Sequence, residues 1–307
     1  MGNIIQMSRL TGDVFPRTSV YNTKYTDADC RAAFVRKMNE KAASIGMSNT
    51  TFINPSGLGE DGNYSSTTVK DLARLGVVGL SYNDLCFVWS AGEHYVKRKG
   101  KTPTQIISSY QTNTILTNYY PVIGGKTGAG DGYYTLVIAT EIDGVSVVGA
   151  IAQASSDNGR FQAMKELFDV CKVVINGGTP SANPVPSANC ACALKVPTYN
   201  TASLGDTPLE VLYEKNASTV TPPMSTTKIM TSIVLLDYIK SLSACFKLTA
   251  YDFAGTPTGA YIFDVGDIAT VEDIFYAMML RSANEAANAL GRFAGNVILQ
   301  SEAFELF

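Results

Sequence analysis

The chain has 307 residues, of which 46% are hydrophobic and 17% are charged, and its formal net charge is −3. This near-neutral balance argues against nucleic-acid and membrane-surface partners, which need a basic patch, and the longest apolar runs are too short to span a membrane. Six scattered cysteines are too few for a disulfide scaffold, and no second Cys/His pair completes a metal site with Cys190 and Cys192, so we expect free thiols and no cofactor.

The first 176 residues predict helices and antiparallel strands. Residues 1–29 show no signal-peptide pattern and are interpreted as an N-terminal extension before a first block at residues 30–176. Apolar residues at helical spacing predict an amphipathic helix over residues 31–45. Asp143-Gly144 is a two-residue hairpin turn between β-branched, apolar runs. The remaining elements predicted in this block are helices over 66–80 and 160–174 and strands over 133–142 and 145–154.

Residues 177–189 are rich in Pro, Gly, Ser and Asn and are interpreted as a linker, because such a segment cannot bury a core. The block after it, residues 190–307, begins with strands predicted over 193–196 and 209–213. One helix is predicted to start at Ser225, and a second, from Thr270 to about Leu280, starts at a sequence resembling a capping box. Antiparallel strands with helices from both blocks favour an α/β fold.

The two ends of the chain resemble each other. Gly2-Asn3-Ile4-Ile5-Gln6-Met7-Ser8 is similar to Gly295-Asn296-Val297-Ile298-Leu299-Gln300-Ser301. A chance likeness over seven residues is one interpretation. The other is a repeat with the period of a whole domain.

Three short motifs carry the chemistry. Ser225 and Lys228 form an S-x-x-K pair at the mouth of an apolar helix, with both side chains on one helix face. A serine hydroxyl needs an adjacent base, and a lysine can supply it when burial lowers its pKa. Ser282-Ala283-Asn284 alone reads equally well as a helix cap, and Lys126-Thr127-Gly128 alone as a turn. The lone His94 lies in a polar stretch, so we expect it to be solvated and a histidine-based triad to have little support.

Together the motifs resemble those of the D-alanyl-D-alanine carboxypeptidases, the low-molecular-weight penicillin-binding proteins. The similarity extends over about 260 residues and includes Asn54-Pro55-Ser56-Gly57-Leu58 and the stretch Phe34–Ala42. The resemblance implies a β-lactamase/DD-peptidase-like α/β fold, in which an antiparallel sheet is flanked by helices and accompanied by a mostly helical subdomain. It also implies removal of the terminal D-alanine of peptidoglycan stem peptides, β-lactams as covalent inhibitors, and a location outside the cytoplasmic membrane.

The family's roles transfer to matching positions as what the resemblance implies. Ser225 would be the nucleophile and Lys228 its base, while Ser282 and Lys126 would shuttle the proton to the leaving group. The substrate-binding residues would be Asn284, Thr127, Gly128 and Ala129, with the N–H groups of Ser225 and Ala129 forming the oxyanion hole.

This chain departs from the family pattern in two residues. Ala283 replaces the usual Gly, a small change, and Met224 replaces Ala, which we expect to crowd the pocket entrance. A class A β-lactamase is disfavoured because no Glu-x-x-x-Asn motif is present.

The order of the motifs is reversed, since Lys-Thr-Gly comes last in the family and first here. One composite domain in circularly permuted order explains this, because domain termini often lie close together. A slice from a tandem array is the alternative. The chain could act as a monomer or as a domain-swapped dimer in which Ser225 meets Lys126 of another copy. A non-catalytic penicillin-binding or peptidoglycan-binding module is the alternative to the enzyme.

Overall fold

The structure is a computed structural model, and it describes residues 24–180, 186–198, 201, 204–257 and 261–304. The helices in these residues are α1 (Asp27–Ser44), α2 (Val69–Gly79), α3 (Asn83–Ser90), α4 (Thr114–Thr117), α5 (Asp157–Ile175), α6 (Thr227–Tyr238), α7 (Val271–Leu280) and α8 (Asn284–Phe304). The strands are β1 (Glu93–Val96), β2 (Thr104–Ile107), β3 (Val122–Gly130), β4 (Tyr133–Ile142), β5 (Val145–Ala152), β6 (Cys190–Lys195), β7 (Val211–Lys215), β8 (Cys245–Lys247) and β9 (Ile268–Thr270).

A five-stranded antiparallel sheet in the order β3-β4-β5-β6-β7 joins the two blocks of the sequence. The predicted hairpin is confirmed, since β4 and β5 pair antiparallel and Asp143 and Gly144 both have positive φ, at 49° and 81°. This conformation matches the twist of the flanking strands. Strand β5, before the linker, pairs with β6, after it, so the sheet runs continuously across the two blocks.

Helices cover both faces of this sheet. Val148 and Gly149 are neighbours in β5 and point to opposite faces. A Cβ on Gly76 of α2 would lie 2.7 Å from Val148 Cγ1, whereas a Cβ on Gly149 would lie 2.7 Å from Met164 Sδ of α5. The predicted α/β architecture, an antiparallel sheet flanked by helices, is confirmed.

The remaining helices form a layer around α8, which packs against α1, α6 and α7. The α1–α8 crossing is close, because a Cβ on Gly295 would lie 1.8 Å from the Cys30 carbonyl oxygen. Helix α1 begins at Asp27 behind a capping box on Thr26, three residues inside the segment expected to be an extension. None of the helices among the described residues is long and apolar enough to cross a membrane.

The prediction of a solvated His94 is wrong. It lies in β1, stacks on Tyr276 of α7 with ring centroids 3.8 Å apart, and places Nε2 2.9 Å from Asp273 Oδ1. The β1–β2 hairpin and α3 were missed because four-residue strands and an eight-residue helix give little periodicity. All six cysteines carry free thiols.

Some predictions fall on residues outside those that the structure describes. Residues 2–8, one partner of the end-to-end similarity, are among them, as are most of the extension and residues 181–185 of the linker. The end of the linker, residues 186–189, is described, and hydrogen bonds fix its backbone to the rest of the domain. Lys215 Nζ donates to the carbonyl oxygens of Pro186 and Ala188, at 2.8 Å in both cases, and Ser187 N donates to Glu166.

Candidate functional site

Ser225 lies on a tight turn that opens helix α6. Residues Met224–Thr226 form a single 3₁₀ turn, and the Pro223 carbonyl oxygen accepts hydrogen bonds from Thr226 Oγ1 at 2.6 Å and Thr135 Oγ1 at 3.1 Å. Met224 has φ of 49°, an unusual conformation for a non-glycine residue. Met224 and Thr226 are buried whereas Ser225 is half-buried, so the turn presents the Ser225 hydroxyl at the surface of the site.

Lys228 is fully buried directly beneath this hydroxyl. Its Nζ lies 2.9 Å from Ser225 Oγ, 2.7 Å from the Ser56 carbonyl oxygen and 2.8 Å from Asn284 Oδ1. Burial lowers the pKa of Lys228 to about 7, and the nearby carboxylate of Glu285 partly opposes this shift. A substantial neutral fraction near pH 7 makes the amine able to accept a proton from Ser225.

The turn between α7 and α8 brings the second motif to the site. Ser282 has φ of 59°, and Asn284 is the first residue of α8. Lys126 Nζ lies 3.0 Å from Ser282 Oγ and 2.8 Å from the Thr127 carbonyl oxygen. Lys126 is buried, and burial, followed by the charges of Lys228 and Arg160, holds its pKa well below the usual range.

The Lys-Thr-Gly triplet lies inside β3, not ahead of a strand or in a turn. Strand β3 is the edge of the sheet and lies against the nucleophile turn. Gly128 must be small here, since a Cβ would lie 2.2 Å from Thr135 Oγ1 and 3.0 Å from Met224 Cβ. Thr127 is 8% exposed and the following Ala129 is exposed, so the free edge of β3 reaches the surface beside Ser225.

Met224 does not project into the mouth of the site. It is 3% exposed, and its Sδ lies 3.4 Å from the position of a Cβ on Gly130. The expectation that it crowds an entrance is wrong, because the backbone conformation of the turn directs this side chain into the wall formed by β3.

Arg160 belongs to the site and was not predicted from the sequence. It lies in the first turn of α5, is 4% exposed, and donates from Nη1 to the Gly128 carbonyl oxygen at 3.0 Å. Its Nη2 lies 2.5 Å from Asp157 Oδ1. A cation in the first turn of a helix opposes the helix dipole, and this anomaly is the signal that could have identified it.

The Ser56 carbonyl group was also missed, because a backbone acceptor has no signature in the sequence. The hydrogen bonds above join Ser225, Lys228 and Asn284 in one group and Lys126 with Ser282 in a second group. The two groups are neighbours within a single chain, since Ser282 precedes Asn284 by two residues and the charge of Lys228 acts on Lys126. Lys126, Lys228 and Arg160 give the site three buried groups that can carry positive charge, and a bound carboxylate would favour their charged forms. Among the described residues, no group of His, Cys, Asp and Glu could hold a metal ion.

The chain is similar in sequence to known proteins over most of its length. A family model described as D-alanyl-D-alanine carboxypeptidase matches residues 28–156 and 206–297, more than two thirds of the chain. The chain is 30% identical over 137 residues to D-alanyl-D-alanine carboxypeptidase DacF of Bacillus subtilis, covering 44% of this chain and 34% of that protein. It is 30% identical over 127 residues to a D-alanyl-D-alanine carboxypeptidase of Streptomyces sp. strain K15, and the match covers 40% of this chain and 43% of that protein.

Among solved structures, the chain is similar to an evolved penicillin-binding protein homolog from Mycobacterium tuberculosis. The sequence identity is 26% and the TM-score 0.40, with 45% of this chain and 53% of that chain covered. The matched segments thus span about a third to a half of the length of each of these relatives.

Proposed function

The chain belongs to the D-alanyl-D-alanine carboxypeptidase family, and we propose that it is a serine-type D-Ala-D-Ala carboxypeptidase with Ser225 as its nucleophile. The observation that carries this proposal is the contact of 2.9 Å between Lys228 Nζ and Ser225 Oγ. A buried amine with a pKa near neutrality, directly against a half-buried hydroxyl, is the arrangement that activates a serine.

The first chemical step forms an acyl-enzyme. Ser225 Oγ attacks the carbonyl carbon between the two terminal D-alanines, and Lys228 Nζ takes the hydroxyl proton. The N–H groups of Ser225 and Ala129 stabilise the oxyanion of the tetrahedral intermediate, a contribution of about 3–4 kcal/mol per donor in comparable sites.

The C–N bond then breaks, and the proton that Lys228 took from Ser225 passes by way of Lys126 and Ser282 to the departing D-alanine nitrogen, which leaves Lys228 neutral again. The contact of 3.0 Å between Lys126 Nζ and Ser282 Oγ supports this route. Water completes the cycle by attacking the ester carbonyl. Lys228, which is neutral again, takes a proton from this water as the water oxygen bonds to the acyl carbon. The bond to Ser225 Oγ then breaks, and Lys228 gives that proton to Ser225 Oγ.

The substrate is the D-Ala-D-Ala terminus of a peptidoglycan stem peptide. Its carboxylate is held by Lys126 and Thr127, next to the close-packed backbone of Gly128, and Asn284 binds its amide group. The three buried groups that can carry positive charge support this recognition, since a carboxylate gains from charge-assisted hydrogen bonds there. β-Lactams acylate Ser225 in the same way, and the enzyme acts outside the cytoplasmic membrane, where these stem peptides are found.

Labelling with a fluorescent penicillin tests the proposal. We expect a covalent adduct on Ser225 that is absent in Ser225→Ala, and release of free D-alanine from an acyl-L-Lys-D-Ala-D-Ala peptide. Labelling without D-alanine release would identify a non-catalytic penicillin-binding module. Folded protein with no adduct on Ser225 would overturn the proposal.

We further propose that the chain is one catalytic domain in permuted order, residues 190–307 forming its first half and residues 30–176 its second. Pairing of β5 with β6 across the linker and the close packing of α1 on α8 support this. Co-expressed fragments 1–182 and 183–307 should then associate and label with penicillin. Two fragments that fold separately and do not associate would contradict it.

We propose a monomer as the active form, because the proposed catalytic residues can meet within one chain. Mixing Ser225→Ala with Lys126→Ala, with refolding together, discriminates this from a domain-swapped dimer. The mixture should stay inactive and elute as a monomer. Recovery of about a quarter or more of the activity would require sites shared between two chains.

A further inference from the structure

Lys228 has three close partners, and they differ in what they can do with a proton. The Ser56 carbonyl oxygen at 2.7 Å and Asn284 Oδ1 at 2.8 Å can only accept hydrogen bonds, whereas Ser225 Oγ at 2.9 Å can also donate. A neutral amine has two N–H donors and one lone pair. When the two acceptors take both N–H groups, the lone pair is left facing the Ser225 hydroxyl, which is the orientation that a general base needs.

The Ser56 carbonyl belongs to a peptide unit that is held at both ends. In a trans peptide the C=O and the following N–H point in opposite directions. Here the Ser56 carbonyl accepts from Lys228, and the Gly57 N–H of the same unit donates to Asn54 Oδ1 at 2.7 Å. The Asn54 side chain therefore fixes the direction in which this carbonyl points.

Asn54 is suited to this task because all of its polar atoms have partners. It is 0% exposed, and its Oδ1 also accepts from Ser56 N and Ser56 Oγ, both at 3.1 Å. Its Nδ2 donates to the Leu58 carbonyl oxygen at 2.8 Å and to Glu60 Oε1 at 2.9 Å. A fully satisfied buried amide is rigid and holds the backbone around it.

The loop of residues 54–58 is also pressed onto the nucleophile turn and helix α6. A Cβ on Gly57 would lie 2.0 Å from the Met224 carbonyl oxygen, and Gly57 has φ of 81°. The Pro55 carbonyl accepts from Thr231 Oγ1 at 2.7 Å, so two successive carbonyls of the loop contact two side chains of α6. The loop cannot shift without moving the Lys228 acceptor.

From this geometry we infer that Asn54 is a positioning residue for the general base: it fixes the Ser56–Gly57 peptide unit, whose carbonyl orients the Lys228 amine toward Ser225. The inference rests on the proposed function. Other charged groups also face Lys228, namely Glu285 from α8 and Lys126 from β3. They are unchanged in variants of Asn54, so their effects cancel in a comparison.

The test measures the penicillin acylation rate against pH, and separately the titration of Lys228 by NMR with lysine-selective isotope labelling. In Asn54→Ala we expect the plateau acylation rate to fall about 10- to 100-fold, within the range that a positioned general base supplies. We also expect the Lys228 pKa to fall further, because the carbonyl dipole that stabilises the ammonium form turns away.

Two control variants separate positioning from loss of stability. Asn39→Ala removes another loop-holding asparagine, which bonds the backbone N–H and carbonyl of Phe52, and it should retain the rate and the Lys228 pKa. Ser65→Ala removes a buried hydroxyl that accepts from Ile53 N, and it should retain the rate and the Lys228 pKa as well. If Asn54→Ala does not fold, Asn54→Ser gives the same two readouts from a side chain too short to hold both N–H groups.

The outcomes distinguish the inference from the proposed function. A folded Asn54 variant with the wild-type rate and wild-type Lys228 titration overturns the positioning role and leaves the function intact. A wild-type protein that penicillin does not acylate, but whose Lys228 pKa falls in Asn54→Ala, overturns the function and supports the positioning role.

Discussion

Lys126 Nζ lies 3.0 Å from Ser282 Oγ, although 156 residues separate the two along the chain. The lysine is buried in edge strand β3, and the serine lies in the turn between α7 and α8 with a positive φ. Because its pKa is lowered by burial, the Lys126 ammonium gives up a proton at a smaller cost in free energy than an ordinary lysine does. The pair is therefore suited to deliver a proton to a leaving group at the surface of the site.

If Lys126 and Ser282 act as one proton-transfer unit, their substitutions will not be additive. We expect Lys126→Ala and Ser282→Ala each to lower kcat for D-alanine release by about 10²- to 10³-fold. The double variant should be little worse than either single variant, because groups that act as a unit give non-additive losses. A double-mutant cycle measures this, and additive losses would contradict it.

Replacing Lys228 by Met removes the proposed base while retaining an apolar stem of similar length. We expect the acylation rate with a penicillin to fall by at least about 10²- to 10⁴-fold. In the wild type this rate should rise about tenfold per pH unit below pH 7 and level off above it, since the neutral amine forms with a pKa of about 7. Lys195→Met, which replaces a lysine paired with Glu210 in β6, is the matched control. A wild-type rate that is flat from pH 5 to 8 would exclude Lys228 as the base.

The same lysine makes stability depend on pH in a defined direction. Its pKa is about 7 in the folded protein against an ordinary value of 10.5, so between these values the unfolded chain binds the extra proton. The free energy of unfolding should therefore rise with pH above 7. Below pH 7 the buried lysine is charged in the folded protein, so the full cost of burying its charge lowers the stability there. At about 1.4 kcal/mol per pKa unit, the contribution is a few kcal/mol. Urea unfolding gives the free energy of unfolding of the wild type and of Lys228→Met at pH 6.5, 8 and 9.5. The contribution of Lys228 is the change with pH in the difference between these two free energies. A constant difference across this range would contradict the prediction.

Gly128→Ala should loosen the contact between β3 and the nucleophile turn. Its Cβ would meet Thr135 Oγ1, the group that donates to the Pro223 carbonyl oxygen ahead of Ser225. We expect a loss of about 1–3 kcal/mol of stability, typical of overpacking, together with slower acylation. Gly92→Ala is the control, because a Cβ there has no neighbour within 4 Å. Equal thermal unfolding temperatures for the two variants would contradict the prediction, because they would show that β3 shifts to accept the methyl group without loss of stability.

Arg160→Ala should weaken recognition of the substrate carboxylate. The guanidinium supports the Gly128 carbonyl and adds positive charge near Lys126. We expect KM for a D-Ala-D-Ala peptide to rise about tenfold, equivalent to one charge-assisted hydrogen bond of about 1.4 kcal/mol. The preference for the peptide with a free C-terminal carboxylate over the same peptide with a C-terminal amide should also fall. Arg160→Lys should restore part of the KM and part of this preference. An unchanged preference for the free acid would show that Arg160 acts only on the fold.

Much of the fold followed from local patterns, and the failures have a common cause. The Asp143-Gly144 hairpin and helix α5 were predicted because turn chemistry and helical periodicity act over a few residues. The β1–β2 hairpin was missed because its stability comes from contacts with α7, such as the stacking of His94 on Tyr276. Such contacts join residues that are far apart in sequence, so they cannot be predicted from the local periodicity of the sequence.

The sequence by itself indicated the family, because S-x-x-K, S-x-N and K-T-G supply the side chains that can serve as nucleophile, as base and as ligands of a carboxylate. It could not decide whether reversed motifs meet in one chain, nor which groups besides the motifs surround them. The tertiary structure brings Lys126, Ser225, Lys228, Ser282 and Asn284 together through a sheet that continues from β5 into β6. It also supplies Arg160 and the Ser56 carbonyl. The physical reason is that hydrogen bonding and desolvation, which tune a buried lysine, depend on distance in space and not on order along the chain.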